Sequence, residues 1–139
     1  MYKFRVTVDE IGRNMAAKSD AGFTNISPKF LITDKTTRAK KLSLFNIVFP
    51  PGFAAHKKHV HIDIEEVLFG IRGRGVIGFQ YEDGKEEEFE VTPGVAVLVP
   101  KNCVHWFTNA NEDEELELCG VLSAPDAGEF KPEDYKFVE

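Results

Sequence analysis

The chain has 139 residues, of which 17 are Lys or Arg and 23 are Asp or Glu, so its net charge at pH 7 is −6. This length is that of one ordinary domain, and a hydrophobic content of 42% is close to the globular average, which excludes a disordered chain. An acidic chain without a long basic stretch is a poor candidate for binding nucleic acid or an anionic membrane surface. We therefore expect neither among its partners.

Nothing in the chain predicts a secreted or membrane-spanning protein. The first five residues begin no apolar run of the kind found in signal peptides, and no stretch nears the length of a transmembrane helix. Cys103 and Cys119 do not form a CxxC pair, and two cysteines do not make a disulfide framework. We expect two reduced thiols in a cytoplasmic protein.

The first 41 residues carry the weakest structural signals. A weak alternation over residues 2–8 predicts a strand, which is placed to pair with another subunit. Residues 9–29 are rich in Gly, Asn and Pro, which predicts an irregular connection, and residues 30–32 form a short β-like run. The basic residues between 35 and 41 are interpreted as a solvated loop, with attraction of an anionic substrate as the alternative.

From residue 42 to residue 122 the pattern is all-β. Short runs rich in β-branched and aromatic residues are separated by Gly/Pro turns, at spacings of roughly 8–12 residues, which favours a sandwich or barrel. Asp83-Gly84 between two of these runs is a hairpin signal. The polar tail, residues 123–139, is predicted to cross the barrel as a strap or short helix. The predicted strands are 42–49, 67–71, 76–81, 86–91, 95–99, 105–108 and 116–122.

Three of the four histidines lie in two spaced motifs together with a glutamate. Alternate residues of a strand point to the same face, so His59 and His61 can aim their rings at one point. His105 follows Glu66 after about forty residues, and a closed barrel can bring it to the same cavity. Three imidazoles and one carboxylate predict a divalent metal site. The motifs read His59-x-His61-x4-Glu66-x6-Gly73 and Gly94-x5-Pro100-x-Asn102-x2-His105-x3-Asn109.

These motifs resemble those of the cupins, G-x5-H-x-H-x(3,4)-E-x6-G and G-x5-P-x-G-x2-H-x3-N. The similarity covers about residues 42–122. Two positions depart from the pattern: the leading glycine is Gly52, one residue early, and the inner glycine of the second motif is Asn102, which also tolerates a left-handed turn. The resemblance implies a double-stranded β-helix (jelly-roll) barrel, with residues 1–41 as an irregular part of the same domain and 123–139 as its strap.

The resemblance also implies the residues of the metal site. Glu65 competes with Glu66 for the carboxylate position, and the six-residue gap to Gly73 selects Glu66. His56 is interpreted as a loop histidine near the barrel rim, with a role beside the ligands or in catalysis as the less favoured alternative. The implied metal ligands are His59, His61, Glu66 and His105.

Four protein ligands would close a tetrahedral Zn²⁺ site, but would leave two positions open on a six-coordinate metal. Mn, Fe, Ni, Co, Zn and Cu all remain candidates. Ligation requires neutral imidazoles, so we expect metal loss below about pH 6. Metal content that stays unchanged down to pH 4 would count against histidine ligation.

The alternation of side chains along the predicted strands predicts which residues line the cavity. If Glu66 points inward, Gly70 and Arg72 follow it while the strand stays regular. Gly70 then either leaves a side chain out of the cavity wall or marks a bulge or close backbone contact. By the same parity Phe107 follows His105 inward.

Three functions are compatible with these features. The leading hypothesis is a small metal-dependent enzyme of the dioxygenase, decarboxylase, isomerase or lyase type, which acts on a small oxygen-rich metabolite with Glu66 or His56 as proton carrier. The second is a non-catalytic binding or sensor module for a sugar or other small metabolite. The third is a purely structural metal. The resemblance further implies association through edge strands, commonly as a homodimer.

Overall fold

The computed structural model describes residues 4–11, 26–52 and 55–138. Within these residues the chain forms ten strands in two antiparallel five-stranded sheets. The first sheet has the order β1-β2-β9-β4-β7 and the second β10-β3-β8-β5-β6. The strands are β1 Ser27–Ile32, β2 Ser43–Phe49, β3 Ala55–His61, β4 Glu66–Arg72, β5 Gly75–Gln80, β6 Glu86–Val91, β7 Ala96–Val99, β8 Val104–Asn109, β9 Leu116–Leu122 and β10 Tyr135–Phe137.

The two sheets pack as a double-stranded β-helix, which is the predicted fold. The chain crosses from one sheet to the other at most connections, so β3 pairs with β8 and β4 pairs with β9 although each pair is far apart in sequence. Alternate residues of β8 and β9 are buried along the whole strand. Their inward faces, with Phe107 of β8 and Leu116 and Leu118 of β9, form part of a hydrophobic core between the sheets.

The seven strands predicted between residues 42 and 122 are confirmed, each within one residue of its predicted ends. The predicted C-terminal strap is also present. Ala127–Glu129 is a 3-10 helix, and β10 then pairs with β3 so that Tyr135 lies opposite His61. The strap therefore extends the second sheet on the side that carries the histidines.

Within the single chain, the described part of the segment predicted as a strand over residues 2–8 forms no strand. Residues 2 and 3 lie outside the described part of the chain, residues 4–7 have no regular secondary structure, and Val8–Glu10 is a 3-10 helix. Phe4 is 82% exposed, whereas Val6 and Val8 are half-buried, and the pairing of this segment with another subunit stays a prediction. Of the irregular connection predicted over residues 9–29, residues 12–25 also lie outside the described ranges.

A bulge in β4 corrects one further expectation. The register of β4 against β9 shifts between Gly70 and Arg72, which reverses the inward and outward parity of the strand. Arg72 therefore points outward, with its side chain 55% exposed and beside the carboxylates of Glu115 and Glu117. The prediction that Arg72 faces the cavity is wrong for this reason.

No helix in the described ranges has the length and apolar content needed to cross a membrane.

Candidate metal centre

Three strands bring the motif residues together inside the barrel. β3 carries His59 and His61, and His59 lies directly opposite His105 of β8 in the strand register. β4 begins with Glu66, whose Oε2 is 3.7 Å from His61 Nε2 and whose Oε1 is 3.4 Å from His105 Nε2. One potential ligand nitrogen from each of these three histidines lies within 4.8 Å of the others. All four side chains are buried, whereas Glu65 is exposed.

The hydrogen bonds of two rings determine where their protons lie. His59 Nδ1 is 2.5 Å from the Lys57 carbonyl oxygen, and His105 Nδ1 is 2.9 Å from the Cys103 carbonyl oxygen. A carbonyl only accepts, so each Nδ1 is the donor and each Nε2 carries a lone pair. His105 Nε2 is fully buried and has no hydrogen-bond partner among the described residues, although Glu66 Oε1 lies 3.4 Å away.

These four groups fit a divalent metal ion. The His59 and His105 rings present Nε2 lone pairs, and the Glu66 carboxylate lies against the His61 and His105 rings. No described donor forms a hydrogen bond with the buried His105 Nε2, which leaves its lone pair available to a metal. A backbone carbonyl behind the imidazole, as found for His59 and His105, is the usual arrangement that orients a metal-binding histidine. The donor set suits Mn, Fe, Co, Ni, Cu or Zn.

Burial and the neighbouring charges place His59, His61 and Glu66 in the protonation states that metal binding needs. Burial lowers the pKa of His59 well below its ordinary value, and the nearby histidine rings lower it further. Burial also lowers the pKa of His61, partly opposed by Glu66. For Glu66, burial acts to raise the pKa, but the His61 and His105 rings outweigh it and the pKa is lowered. At neutral pH His59 and His61 are thus neutral and Glu66 is ionised.

We expect the metal-free protein to lose stability as the pH falls from 7 to 5. The pKa values of His59 and His61 are lowered in the folded state, whereas they are about 6.5 in the unfolded chain. Below that pH the unfolded chain therefore binds protons that the folded chain does not. The free energy of unfolding should fall by up to about 1.4 kcal/mol per pH unit for each histidine. Urea denaturation in EDTA at pH 7, 6 and 5 measures this, and equal midpoints would contradict it.

His56 lies beside the cluster and not in a loop. Its ring stacks on the His59 ring at a centroid distance of 3.8 Å, and its Nε2 is 2.9 Å from the Tyr135 hydroxyl. The register of β3 against β8 shifts between His56 and His59, so that both side chains face inward although they are three residues apart. The prediction of a loop histidine is wrong because this bulge lies within a strand.

Tyr135 is a residue of the site that the motifs did not indicate. It lies on β10, outside both motifs, and its ring centroid is 5.3 Å from that of His59 and 5.5 Å from that of His61. Burial raises the pKa of Tyr135, and the Glu66 carboxylate raises it further, so the hydroxyl stays protonated at neutral pH. Only the pairing of β10 with β3 brings it here; the sequence signal was limited to scattered aromatic residues in the tail.

A cavity of about 40 Å³ adjoins the cluster. Phe107 faces it, as strand parity predicts, and Gly70 does not line it. A Cβ on Gly70 would instead lie 2.2 Å from the Thr92 carbonyl oxygen, so the alternative of a close backbone contact is confirmed. Besides the four histidines and Glu66, the described lining is apolar; it includes Phe30, Phe45, Phe49, Leu68, Leu118 and Leu122.

Comparison with known proteins identifies a family and several relatives that this chain resembles. The family model described as Cupin matches residues 33–132. The chain is 28% identical over 101 residues to an auxin-binding protein from Nicotiana tabacum, a match that covers 69% of this chain and 53% of that protein. It is 40% identical over 62 residues to an acireductone dioxygenase from Bacillus cereus, covering 45% of this chain and 36% of the enzyme. The chain thus spans about half, or less, of these relatives.

Solved structures give the same fold at low sequence identity. An oxalate oxidase superposes with a TM-score of 0.72 at 15% identity, covering 97% of this chain and 63% of the enzyme. Oxalate decarboxylase from Bacillus subtilis, studied for its Mn(II) centres, gives a TM-score of 0.66 at 18% identity, covering 73% of this chain and 26% of the enzyme. At such identities the likeness establishes the fold alone.

Proposed function

This chain belongs to the cupin family, and on that premise we propose that it is a small metal-dependent enzyme acting on a small metabolite chelated at the metal. The observation that supports this most is the cluster itself. Two oriented imidazole lone pairs, a third imidazole and one ionised carboxylate meet at the wall of a buried apolar cavity. The reaction types that we propose are dioxygenation, decarboxylation, isomerisation and lyase action. A relative named as a dioxygenase is similar over part of the chain.

We propose that His59, His61, His105 and Glu66 hold a divalent transition metal. Such a metal supplies Lewis-acid stabilisation of the anion that develops on a chelated substrate. The Phe and Leu side chains of the cavity exclude water from the reacting group. The Lys57 and Cys103 carbonyls keep the Nδ1 protons of His59 and His105 away from the substrate side.

Two candidates remain for moving a proton. Glu66 is ionised and within reach of the cavity, but as a ligand it has little freedom to act as a base. His56 also lines the cavity and is 2.9 Å from a Tyr135 hydroxyl that stays protonated. We propose His56 as the proton carrier when Glu66 is a ligand, since its ring lines the cavity outside the ligand set and is held in place by its hydrogen bond with the Tyr135 hydroxyl.

Loading the metal-free protein with Mn²⁺ tests this proposal. We expect one Mn²⁺ per chain, water coordinated to it as judged by proton relaxation, and loss of that water when a chelating acid binds. Oxygen uptake and carbon dioxide release are then followed with each candidate metal. A closed coordination sphere without exchangeable water would favour a structural metal and contradict the enzyme.

A second candidate function is supported by one observation. The match to the auxin-binding protein covers 69% of this chain, whereas the match to the dioxygenase covers 45%. A non-catalytic cupin that binds a small metabolite would show the same metal and ligand binding, but every bound acid would be recovered unchanged with every metal. Recovery of the unchanged acid in the turnover assays would therefore favour the binding module.

We also propose that the protein is a cytoplasmic homodimer. The two cysteines are free, in keeping with a reducing compartment. The outer face of β4 and β7 exposes Val67, Phe69 and Leu98, and an apolar patch of this kind is typical of a subunit contact. A monomer in sedimentation equilibrium at micromolar concentration would remove the dimer from the proposal.

A further inference from the structure

Among the described residues, the polar side chains that line the cavity beside the cluster all lie on one side of it. Its polar side chains are the histidines and Glu66, which contact one another, and every other described lining residue is a hydrocarbon side chain. The described lining contains no Lys, Arg, Ser, Thr, Asn, Gln or Asp. A ligand that reaches beyond the metal centre therefore meets phenylalanine, leucine, isoleucine and proline.

The buried amides nearest to these walls are already engaged elsewhere. Asn46 lies between two cavity-lining residues of β2 but points away from the cavity, where its Nδ2 donates to Glu117 Oε2 at 3.0 Å. Asn109 Nδ2 donates to the backbone carbonyls of Pro50 and Glu114. Neither amide lines the cavity. A second polar group on the ligand would thus lose its water without gaining a partner among the described residues.

From this one-sided lining we infer the class of ligand: a small monoanionic chelating acid whose head binds at the metal and whose short tail is hydrocarbon. The inference rests on the proposed function, because it needs a metal at the cluster to hold the head. It narrows the expectation of an oxygen-rich metabolite, since oxygen atoms are accommodated at the head alone. Acids with a second carboxylate on the tail are excluded as good ligands.

The size of the cavity limits the tail. A volume of about 40 Å³ holds roughly three water-sized groups. The four histidines and Glu66 line this same space, so the metal and the chelating head occupy part of it and leave room only for a short tail of roughly one to three carbon atoms. Each buried methylene of the tail should tighten binding about fourfold until the space is full. The 2-oxo acids from pyruvate to 2-oxovalerate have these tails on one constant chelating head.

The test is isothermal titration calorimetry of the Mn²⁺-loaded protein with pyruvate, 2-oxobutyrate, 2-oxovalerate and 2-oxoglutarate. A change in the Mn²⁺ electron paramagnetic resonance spectrum on titration shows that the acid head binds at the metal. We expect the dissociation constant to fall about fourfold for each of the first one or two added methylenes. 2-Oxovalerate and 2-oxoglutarate have equally long chains and differ in the terminal group. 2-Oxovalerate should bind at least about tenfold more tightly than 2-oxoglutarate.

Equal or tighter binding of 2-oxoglutarate would overturn the inference, as would a flat series or binding of none of the acids. None of these results would contradict the binding of a metal by the cluster. Failure of the protein to take up Mn²⁺ is read separately in the metal titration, and it would overturn the proposed function and this inference together.

A pair of variants on β4 checks that the tail lies against the described wall. Leu68→Val removes one methylene from the cavity lining, and Ile71→Val removes one from a side chain that is 42% exposed and outside the lining. We expect Leu68→Val to improve binding of 2-oxovalerate relative to pyruvate by about fourfold, and Ile71→Val to leave that ratio unchanged. Leu118→Val provides a second lining variant if Leu68→Val folds poorly. Identical ratios in all these proteins would contradict the placement of the tail.

Discussion

Replacing His105 by Ala is expected to abolish metal binding while the barrel stays folded. His105 Nε2 is buried in the cluster and has no hydrogen-bond partner among the described residues, and its Nδ1 donates to the Cys103 carbonyl. The substitution removes one lone pair from the centre. The loss of affinity should be at least about 100-fold, since even the groups that only orient a ligand contribute 10–100-fold. Elemental analysis and Mn²⁺ titration measure the loss, and circular dichroism reports the fold.

Two variants serve as controls for this experiment. Lys57→Ala removes an exposed side chain from β3 but keeps the carbonyl that accepts from His59, so metal binding should be unchanged. His56→Ala removes a ring that stacks on His59 without belonging to the group of ligand nitrogens, so one metal per chain should remain. Metal affinity of wild-type strength in His105→Ala would contradict the four-residue site.

Replacing Gly70 by Ala is expected to destabilise the fold by about 3 kcal/mol or more. A Cβ at this position would lie 2.2 Å from the Thr92 carbonyl oxygen and 2.8 Å from its carbon, and backbone atoms cannot rotate away. Gly70 also donates to the Val95 carbonyl and accepts from Gly94, each at 3.0 Å, so the turn before β7 is tied to β4. Alanine must displace that turn and break these hydrogen bonds.

Urea denaturation of Gly70→Ala beside Gly84→Ala separates crowding from backbone strain. Gly84 has φ of +85° in the β5–β6 hairpin, and a Cβ there would meet no atom within 4 Å. Alanine at position 84 should therefore lower the free energy of unfolding by only about 1 kcal/mol, which is the strain of a left-handed backbone conformation in a residue with a Cβ. If Gly70→Ala costs no more than Gly84→Ala, the close contact with Thr92 is not a constraint on the fold.

Strand positions could be predicted because their signals are local. Runs of β-branched and aromatic residues bounded by Gly and Pro placed seven strands within one residue of their ends. The Asp83-Gly84 hairpin was visible for the same reason. The weak alternation at residues 2–8 corresponds to no strand within the single chain, where Phe4 is exposed, and its pairing with another subunit stays a prediction.

The interior of the site depended on information that lies outside each strand. His56 faces the cluster, and Arg72 faces solvent, because one extra residue in β3 and one in β4 reverse the parity. A bulge is decided by how a strand pairs with its neighbour, which here is β8 or β9, and those strands are distant in sequence. Tyr135 joins the site through the pairing of a C-terminal strand with β3.

The sequence by itself determined the four residues of the cluster and the all-β class, because both depend on residue types at short spacings. The tertiary structure decided which other side chains join them, which ring nitrogens carry protons, and that the rest of the described cavity wall is hydrocarbon. These features arise from contacts between strands that are tens of residues apart. Their register and their bulges are set by packing in the closed barrel and leave no local pattern in the chain.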